Sequence, residues 1–329
     1  MRRLLLCAVL ALLAPATARA GGVTAFYYPW YGTPGADGAF EHWEQRGQVP
    51  PLSIASNYWP ARGIYSSSSP TVLDSQMRQI RSAGIAAIAV SWWGRGSPED
   101  LRLPAVIRAA HAQRLDVAVH LEPYGGRTVE STEADIAYLR GLGIWTFYLY
   151  QPFAEPAADW VPMNDALAAT GVRVFAQTGL VGQALAGHFA GLYTYDIVTY
   201  GGNTFARLCH EAHAVGLLCA PSVGPGYDAR RAVGDTRVKP RRDGATYDAM
   251  WQSAIAAGAD AITITSYNEW HEGTQIEPAA AHAGYESYSG AWGETGDRAD
   301  DAYLTRTGSW AEVWAAQVAL KRGRGPLAV

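Results

Sequence analysis

The feature that most constrains the fold of this 329-residue chain is a regular alternation of apolar runs with amphipathic stretches. The stretches between the runs carry apolar residues at helical spacing. Repeated strand–helix units imply parallel strands covered by helices, and eight such units predict a (β/α)8 barrel. The eight runs, rich in β-branched and aromatic residues as buried strands are, span residues 23–30, 85–92, 116–122, 144–150, 172–177, 193–199, 217–222 and 261–266.

Helix-start signals fit this interpretation. Ser97 precedes a proline and two acids, which is the pattern of an N-cap followed by a first helical turn. Ser309 and Glu312 have the spacing of a capping box and predict a final helix that begins there and runs towards Lys321. An open doubly wound sheet is the alternative fold, but no G-x-G-x-x-G follows the first predicted strand.

The first twenty residues have the three parts of a secretory signal. Arg2 and Arg3 form a basic start, residues 4–13 form an apolar core, and Ala18 and Ala20 complete an A-x-A cleavage site. The apolar core is too short to span a bilayer. We therefore expect residues 1–20 to be removed, residues 21–329 to form a single domain, and the product to be secreted or periplasmic.

The charge balance excludes some partners. Without the predicted leader the chain has 23 basic and 30 acidic residues, a formal charge of −7. A mildly acidic surface argues against nucleic acid or an anionic membrane as a partner. We expect a monomer that binds neither nucleic acid nor a membrane.

Two cysteines, Cys209 and Cys219, remain after the predicted leader and its Cys7 are removed. An exported protein can pair them as a disulfide. Two buried free thiols are the alternative, because a sequence does not show whether two side chains meet.

Three long connections are predicted at the same end of the barrel. They span residues 31–70 after the first strand, 223–244 after the seventh and 272–303 after the eighth. Barrel enzymes have their active sites at this carboxyl-terminal face. Residues at the predicted strand ends combine aromatic rings with carboxylates and amides, as in carbohydrate sites: Tyr27, Tyr28, Trp30, Tyr31, Trp92, Trp93, His120, Glu122, Tyr124, Tyr148, Tyr150, Gln151, Gln177, Asn268, Glu269, His271 and Glu272.

Glu269 and Glu272 are the strongest catalytic candidates at that face. They follow the last predicted strand, three residues apart, among tyrosine, tryptophan, asparagine and histidine. Two carboxyl groups beside aromatic surfaces can supply the proton donor and the proton acceptor of glycosidic cleavage. The alternative is a surface turn with two solvated acids.

Other kinds of site have weaker support in the sequence. Glu269, His271 and Glu272 are potential zinc ligands, but there is no H-E-x-x-H and no second histidine–aspartate cluster. There is no G-x-S-x-G nucleophile elbow and no glycine-rich phosphate loop. We therefore expect neither a metal nor another cofactor.

Several segments of the chain together form a recognisable pattern. They read YYPWYG at 27–32, HW at 42–43, SWWG at 91–94, HLEPY at 120–124, PSVGPGY at 221–227, RDGATYDAMW at 242–251 and SYNEWHEGTQIE at 266–277. These segments resemble glycoside hydrolase family 99, the family of the endo-α-1,2-mannosidases and endo-α-1,2-mannanases. The resemblance covers nearly the whole chain after the leader, and the run around Glu269 is the most specific part of it.

The resemblance implies a (β/α)8 barrel and cleavage of internal α-mannosidic bonds with retention of configuration. It also implies that the 2-hydroxyl of the sugar attacks the anomeric carbon and gives a 1,2-anhydro sugar. Glu269 would then deprotonate that hydroxyl, and Glu272 would protonate the leaving oxygen and later activate water. We expect Glu269 to be ionised and Glu272 to be protonated, because apolar surroundings such as Trp270 raise its pKa.

The predicted sugar-binding residues are Tyr28, Trp92, Glu122, Tyr227, Asn268 and His271. Alternative roles stay open for several residues at this face. Glu122 can form an ion pair at the barrel rim, and His120 and His271 can be hydrogen-bonded core residues. One of Trp92 and Trp93 should face the helices, because side chains alternate along a strand. The substrate is expected to be an α-mannan or another mannose-containing oligosaccharide. A hydrolase of another α-glycan and a non-catalytic carbohydrate-binding barrel are the alternatives.

Overall fold

In the computed structural model, which describes residues 22–323, eight parallel strands form a barrel. Consecutive strands pair in parallel, and β8 also pairs with β1. Pro221 interrupts β7, whose first half pairs with β6 and whose second half pairs with β8, so the ring closes. The predicted (β/α)8 barrel is confirmed. Its strands are β1 Val23–Tyr27, β2 Ala87–Trp92, β3 Asp116–Leu121, β4 Thr146–Leu149, β5 Arg173–Gln177, β6 Gly191–Tyr193, β7 Leu218–Ala220 with Ser222–Val223, and β8 Ile262–Ile264.

The main helices alternate with these strands. Ser97 caps α2 as predicted, and its hydroxyl accepts the backbone N–H of Asp100. The bounds are α1 Pro70–Ser82, α2 Pro98–Ala112, α3 Val129–Gly141, α4 Val161–Ala168, α5 Val181–Ala186, α6 Gly202–Ala214, α7 Ala245–Ala256 and α8 Ala302–Gly323. Shorter helical turns span Pro34–Asp37, Gln45–Gly47, Pro152–Ala154, Ala157–Trp160, Arg242–Gly244, Ala291–Gly293 and Asp297–Asp300.

The predicted start of the last helix at Ser309 is wrong. α8 begins two turns earlier, at Ala302, and Ser309 lies inside it. Tertiary packing explains the earlier start, because Tyr303 and Thr307 are buried and the Thr307 hydroxyl bonds that of Tyr247 on α7. Burial of this face outweighs the local capping pattern.

The predicted sixth strand is also misplaced along the chain. β6 ends at Tyr193, whereas the prediction placed residues 193–199 in the strand. Tyr195 has a left-handed backbone, and the Asp196 carboxylate accepts the N–H groups of Val198 and Thr199. An aspartate that bonds the backbone ahead of it forms a turn, so this apolar segment is a loop.

Cys209 on α6 and Cys219 on β7 form a disulfide bond, which answers the question that the sequence left open. Both residues are fully buried. The bond links a helix of the outer layer to the strand beneath it.

The three long loops lie at the carboxyl-terminal end of the barrel as predicted. The first loop (28–69) and the eighth loop (265–301) are joined by antiparallel pairing of Trp59–Pro60 with Ala279–Ala280. The seventh loop (224–244) forms a small hairpin in which Tyr227–Asp228 pairs with Val238–Lys239. These loops enclose the end of the barrel where Glu269 and Glu272 lie.

The predicted leader, residues 1–20, lies outside the described residues. Of the helices that the structure does describe, none combines the length and the apolar composition needed to cross a bilayer.

Candidate active site

Glu269 and Glu272 lie in a compact turn that follows β8. The Ser266 hydroxyl accepts the backbone N–H of Glu269 at 2.8 Å and bonds the Thr274 hydroxyl at 2.9 Å. The backbone N–H of Ser266 donates to the Thr274 carbonyl, and the Thr265–Ser266 peptide bond is cis. The solvated surface turn is therefore not what forms, because Glu269 is only 3% exposed.

The Glu269 carboxylate has few hydrogen-bond donors for a buried acid. Its Oε1 accepts the backbone N–H of His271 at 3.0 Å, and the Nδ1 atom of His271 lies 3.6 Å from the same oxygen. Burial raises the pKa of the Glu269 carboxyl well above its usual range, and the charge of Glu272 adds to the rise. This direction contradicts the expectation that Glu269 is ionised at rest, although a buried carboxylate is a stronger base than a solvated one once it has lost its proton.

Glu272 lies beside a chain of phenol groups. The Tyr195 hydroxyl donates to Glu272 Oε2 at 3.3 Å and also bonds the Tyr28 hydroxyl. Glu272 faces a small cavity that Tyr150, Tyr195 and Tyr227 help to line. Burial raises the pKa of Glu272 to about 8, so this carboxyl holds its proton at neutral pH.

The source of that burial differs from the expectation. Trp270 is fully buried, but its indole N–H donates to Glu277 Oε2 at 3.0 Å and to the Tyr65 hydroxyl at 3.2 Å. The Trp270 ring, which was predicted to desolvate Glu272, therefore contacts Glu277. Tyrosines from the loops that follow β4, β6 and β7 line the cavity at Glu272 instead.

Glu122 is a third buried carboxylate at this face. It follows β3, is 4% exposed, and accepts the Ser91 hydroxyl at 2.8 Å, with His120 Nδ1 3.0 Å from the same oxygen. Its negative charge raises the pKa of both Glu269 and Glu272. In the described part of the chain no arginine or lysine pairs with it, so it is not a rim ion pair.

Tyr28 and Tyr227 both lie near Glu272, as the predicted sugar site requires. Tyr28 reaches it through the Tyr195 hydroxyl. The Tyr227 hydroxyl donates to Asp235 at 2.8 Å, and burial followed by the charge of Glu272 raises the pKa of its phenol.

The assignment of Trp92 to sugar binding is wrong. Trp92 is fully buried, and its indole N–H donates to Asp100 Oδ1 on α2 at 2.9 Å, so it offers no surface to a ligand. The preceding residue, Ser91, points to Glu122, and strand alternation sends Trp92 towards the helices. Trp93, 38% exposed and bonded to the Ser91 hydroxyl, is the tryptophan on the open side.

Asn268 is also enclosed rather than open to a sugar. It is fully buried, and its amide accepts the backbone N–H of Tyr28 at 2.8 Å and donates to the Tyr28 carbonyl at 2.9 Å. These two bonds join the ends of β8 and β1. Asn268 therefore aligns the backbone of the site, and both ends of the amide that was predicted to bind the sugar are engaged by Tyr28.

His271 supports Glu269 from behind. Its ring is 4% exposed, stacks with Trp30 and His42, and donates from Nε2 to the His42 carbonyl. Burial lowers the pKa of His271 to about 4, so the imidazole is neutral at neutral pH. The alternative role of a hydrogen-bonded core histidine is the one that the structure shows.

Tyr195 is the main site residue that sequence reasoning missed. It lies in the segment predicted as the sixth strand, where its left-handed backbone, with a φ of 46°, was not expected. That backbone sends the ring towards Tyr28 and Glu272. The tyrosine is visible in the sequence, but the turn that aims it depends on the Asp196 carboxylate.

Within residues 22–323 no group of three or more histidine, cysteine, aspartate and glutamate side chains is placed to share a metal ion.

Comparison with known proteins agrees with this geometry. The model of the family "Glycosyl hydrolase family 99" matches residues 20–316. This chain belongs to glycosyl hydrolase family 99. The three segments that contain Glu122, Tyr227 and the Glu269–Glu272 pair all fall within the matched range, and the chain is a glycoside hydrolase.

Proteins with endo-alpha-mannosidase names are similar over most of the chain. A zebrafish (Danio rerio) glycoprotein endo-alpha-1,2-mannosidase-like protein is 31% identical over 87% of this chain and 77% of its own length. The mouse (Mus musculus) glycoprotein endo-alpha-1,2-mannosidase is 31% identical over 78% of this chain and 67% of its own. The family 99 endo-alpha-mannosidase structure from Bacteroides thetaiotaomicron superposes with a TM-score of 0.81 at 27% identity, covering 90% of this chain and 98% of that one.

Proposed function

We propose that this protein is an exported, endo-acting α-mannoside hydrolase that cleaves internal α-1,2-linked mannan or glycan bonds with retention of configuration. The observation that carries the proposal is the carboxyl pair at this end of the barrel, with Glu269 buried and Glu272 half-buried. In the described part of the chain, neither forms an ion pair with an arginine or lysine. The endo-α-1,2-mannosidase names of its relatives support the choice of sugar.

The chemistry that suits this pair uses the substrate as its own nucleophile. The axial 2-hydroxyl of mannose is antiperiplanar to an axial leaving group, so it can attack the anomeric carbon and expel that group. Glu269 removes the proton of this hydroxyl, and Glu272 protonates the departing glycosidic oxygen. Water activated by Glu272 then opens the 1,2-anhydro sugar, and the two inversions give net retention.

Burial raises the pKa of both acids, that of Glu269 well above its usual range and that of Glu272 to about 8. The charge of Glu272 adds to the rise at Glu269, and two such carboxyls do not both ionise readily. The assignment of Glu269 as the base and Glu272 as the acid therefore follows the resemblance to family 99 and not the direction of these shifts. General acid–base assistance of this kind contributes about 10²–10⁴-fold per group.

Export is proposed from two features. Residues 1–20 have the composition of a cleavable leader, and the Cys209–Cys219 disulfide suits an oxidising compartment. Sequencing the amino terminus of protein recovered outside the cytoplasm tests this: a mature chain that begins near residue 21 is expected, and an intact leader would contradict it.

The activity is tested with Glu269→Gln and Glu272→Gln, with Glu133→Gln on the exposed face of α3 as the control. Each active-site variant is expected to lose at least about 10²-fold in kcat/KM on an α-1,2-mannan, while the control keeps wild-type activity. NMR of the wild-type reaction should show the α-anomer first. Full activity in either variant, glycan binding without turnover, or release only from an α-glucan would contradict the proposal.

A further inference from the structure

The backbone that carries Glu272 is held by the seventh loop. The N–H of Asp228 donates to the Glu272 carbonyl at 2.8 Å. Arg241 donates from one nitrogen, Nη2, to the carbonyls of Gly273 at 2.9 Å and Gln275 at 2.7 Å. The turn directly after the proposed acid is therefore bonded to a single guanidinium group.

Gly273 makes this contact close. It has a φ of +63°, a conformation that suits glycine, and a β-carbon there would lie 3.1 Å from the carbonyl oxygen of Asp228. The strand of the hairpin that contains Asp228 thus lies directly against the Glu272–Gly273 peptide. Small movements of the seventh loop would move the backbone of Glu272 with it.

Arg241 has an unusual environment for a charged side chain. The central carbon of its guanidinium lies 4.7 Å from the rings of Tyr58 and Tyr288 and 4.5 Å from that of Tyr303. Its Nε and Nη1 atoms are buried and have no hydrogen-bond acceptor in the described residues. The carboxylates of that part of the chain form no ion pair with it.

These contacts connect all three long loops at one point. Tyr58 belongs to the first loop, Arg241 to the seventh and Tyr288 to the eighth, while Tyr303 begins α8. The Tyr288 hydroxyl also donates to the Gln275 carbonyl at 3.0 Å, the same oxygen that Arg241 contacts. A desolvated cation without a counter-ion is costly, and the two carbonyl bonds and the tyrosine rings offset part of that cost.

We propose that Arg241 is a positioning residue that aligns Glu272 with the leaving-group oxygen by fixing the Gly273–Gln275 carbonyls. The inference rests on the acid role proposed for Glu272. The Nε and Nη1 atoms of Arg241 are buried, so they are not available to hydrogen-bond the substrate. Its loss should therefore affect protonation of the leaving group more than binding of the sugar.

The experiment compares two substrates that differ in their need for an acid. A polymeric α-1,2-mannan has a sugar leaving group that must be protonated, whereas an α-oligomannosyl fluoride releases fluoride without a proton donor. The ratio kcat/KM reports steps up to departure of the leaving group. The variants are Arg241→Met, which removes the donor, and Arg241→Lys, which keeps the charge but not the planar two-carbonyl contact. Arg242→Met, an exposed neighbour, is the control.

Arg241→Met is expected to lose about 10–100-fold in kcat/KM on the mannan and less than about threefold on the fluoride, with KM nearly unchanged. Arg241→Lys should show the same selectivity with a smaller loss; it also serves if the methionine variant fails to fold. Equal losses on both substrates, or no loss in either variant, would overturn the inference. If Glu272→Gln also fails to distinguish the substrates, the proposed acid role is what fails; if only the Arg241 variants fail to do so, that role stands.

Discussion

Three glutamates of the eighth loop differ in the number of hydrogen-bond donors around their carboxylates: Glu269, Glu272 and Glu277. The Glu277 carboxylate is fully buried and accepts four hydrogen bonds, two on each oxygen. The donors are Arg62 Nε and Gln76 Nε2 at 2.8 Å on Oε1, with the Tyr65 hydroxyl at 2.8 Å and Trp270 Nε1 at 3.0 Å on Oε2. Its charge is paired and its lone pairs are filled.

Glu269 and Glu272 lack that provision. The Glu269 carboxylate accepts one backbone N–H and lies 3.6 Å from an imidazole nitrogen. The Glu272 carboxylate accepts one hydrogen bond, from the Tyr195 hydroxyl at 3.3 Å. Burial without adequate donors raises the pKa of both acids. The comparison teaches that burial alone does not mark a catalytic carboxyl; burial with vacant lone pairs and no cation does.

The largest effect on stability is therefore expected at Glu277. Glu277→Gln leaves Arg62 without its counter-charge and places an amide against four donors, so the free energy of unfolding should fall by about 3–5 kcal/mol. Urea unfolding measures this, with Glu133→Gln on α3 expected to stay within about 0.5 kcal/mol of wild type. A loss of less than about 1 kcal/mol in Glu277→Gln would show that the ion pair is not structural.

A smaller effect is expected at Tyr195. Its hydroxyl favours the charged form of Glu272 and so lowers that pKa. Tyr195→Phe should therefore move the basic limb of the kcat/KM profile to higher pH, by roughly one unit or less, since one unit equals about 1.4 kcal/mol. Tyr227→Phe, whose hydroxyl bonds Asp235 instead, should leave the limb in place. If the basic limb of the profile does not move, or moves to lower pH, in Tyr195→Phe, the hydrogen bond from Tyr195 to Glu272 is contradicted.

The fold and the position of the site were predictable because both depend on local patterns. The β-branched run of β8 and the acids that follow it are visible within a few residues. The sequence does not predict which of these acids is paired and which is left with few hydrogen-bond donors, because the donors come from distant parts of the chain. The Glu277 carboxylate accepts hydrogen bonds from residues of the first loop and α1, about two hundred positions away in the chain. The sequence around Glu277 contains no signal that predicts its contact with Arg62.

The misassigned residues share one physical cause. Whether Trp92 faces the barrel or the helices depends on which strand residue points inwards, and the bond from Ser91 to Glu122 decides it. Asn268 has a side chain suited to sugars, yet the backbone of Tyr28 occupies both ends of its amide. Residue type suggested the chemistry, and only the packing shows which groups are already engaged.

The most direct test of this account is the stability of Glu272→Gln relative to wild type at pH 5 and pH 8, measured by urea unfolding on samples whose activity is also assayed. In the unfolded chain Glu272 ionises near its usual pKa, whereas the folded carboxyl keeps its proton until about pH 8. Its contribution to stability is therefore present at low pH and lost as the pH rises to 8.

The inactive variant should lose less stability than wild type over this interval, by more than about 1.4 kcal/mol, the equivalent of one pKa unit. Parallel pH dependence in the two proteins, or a variant that becomes the less stable one as the pH rises, would contradict the claim that Glu272 is an unsatisfied, protonated acid.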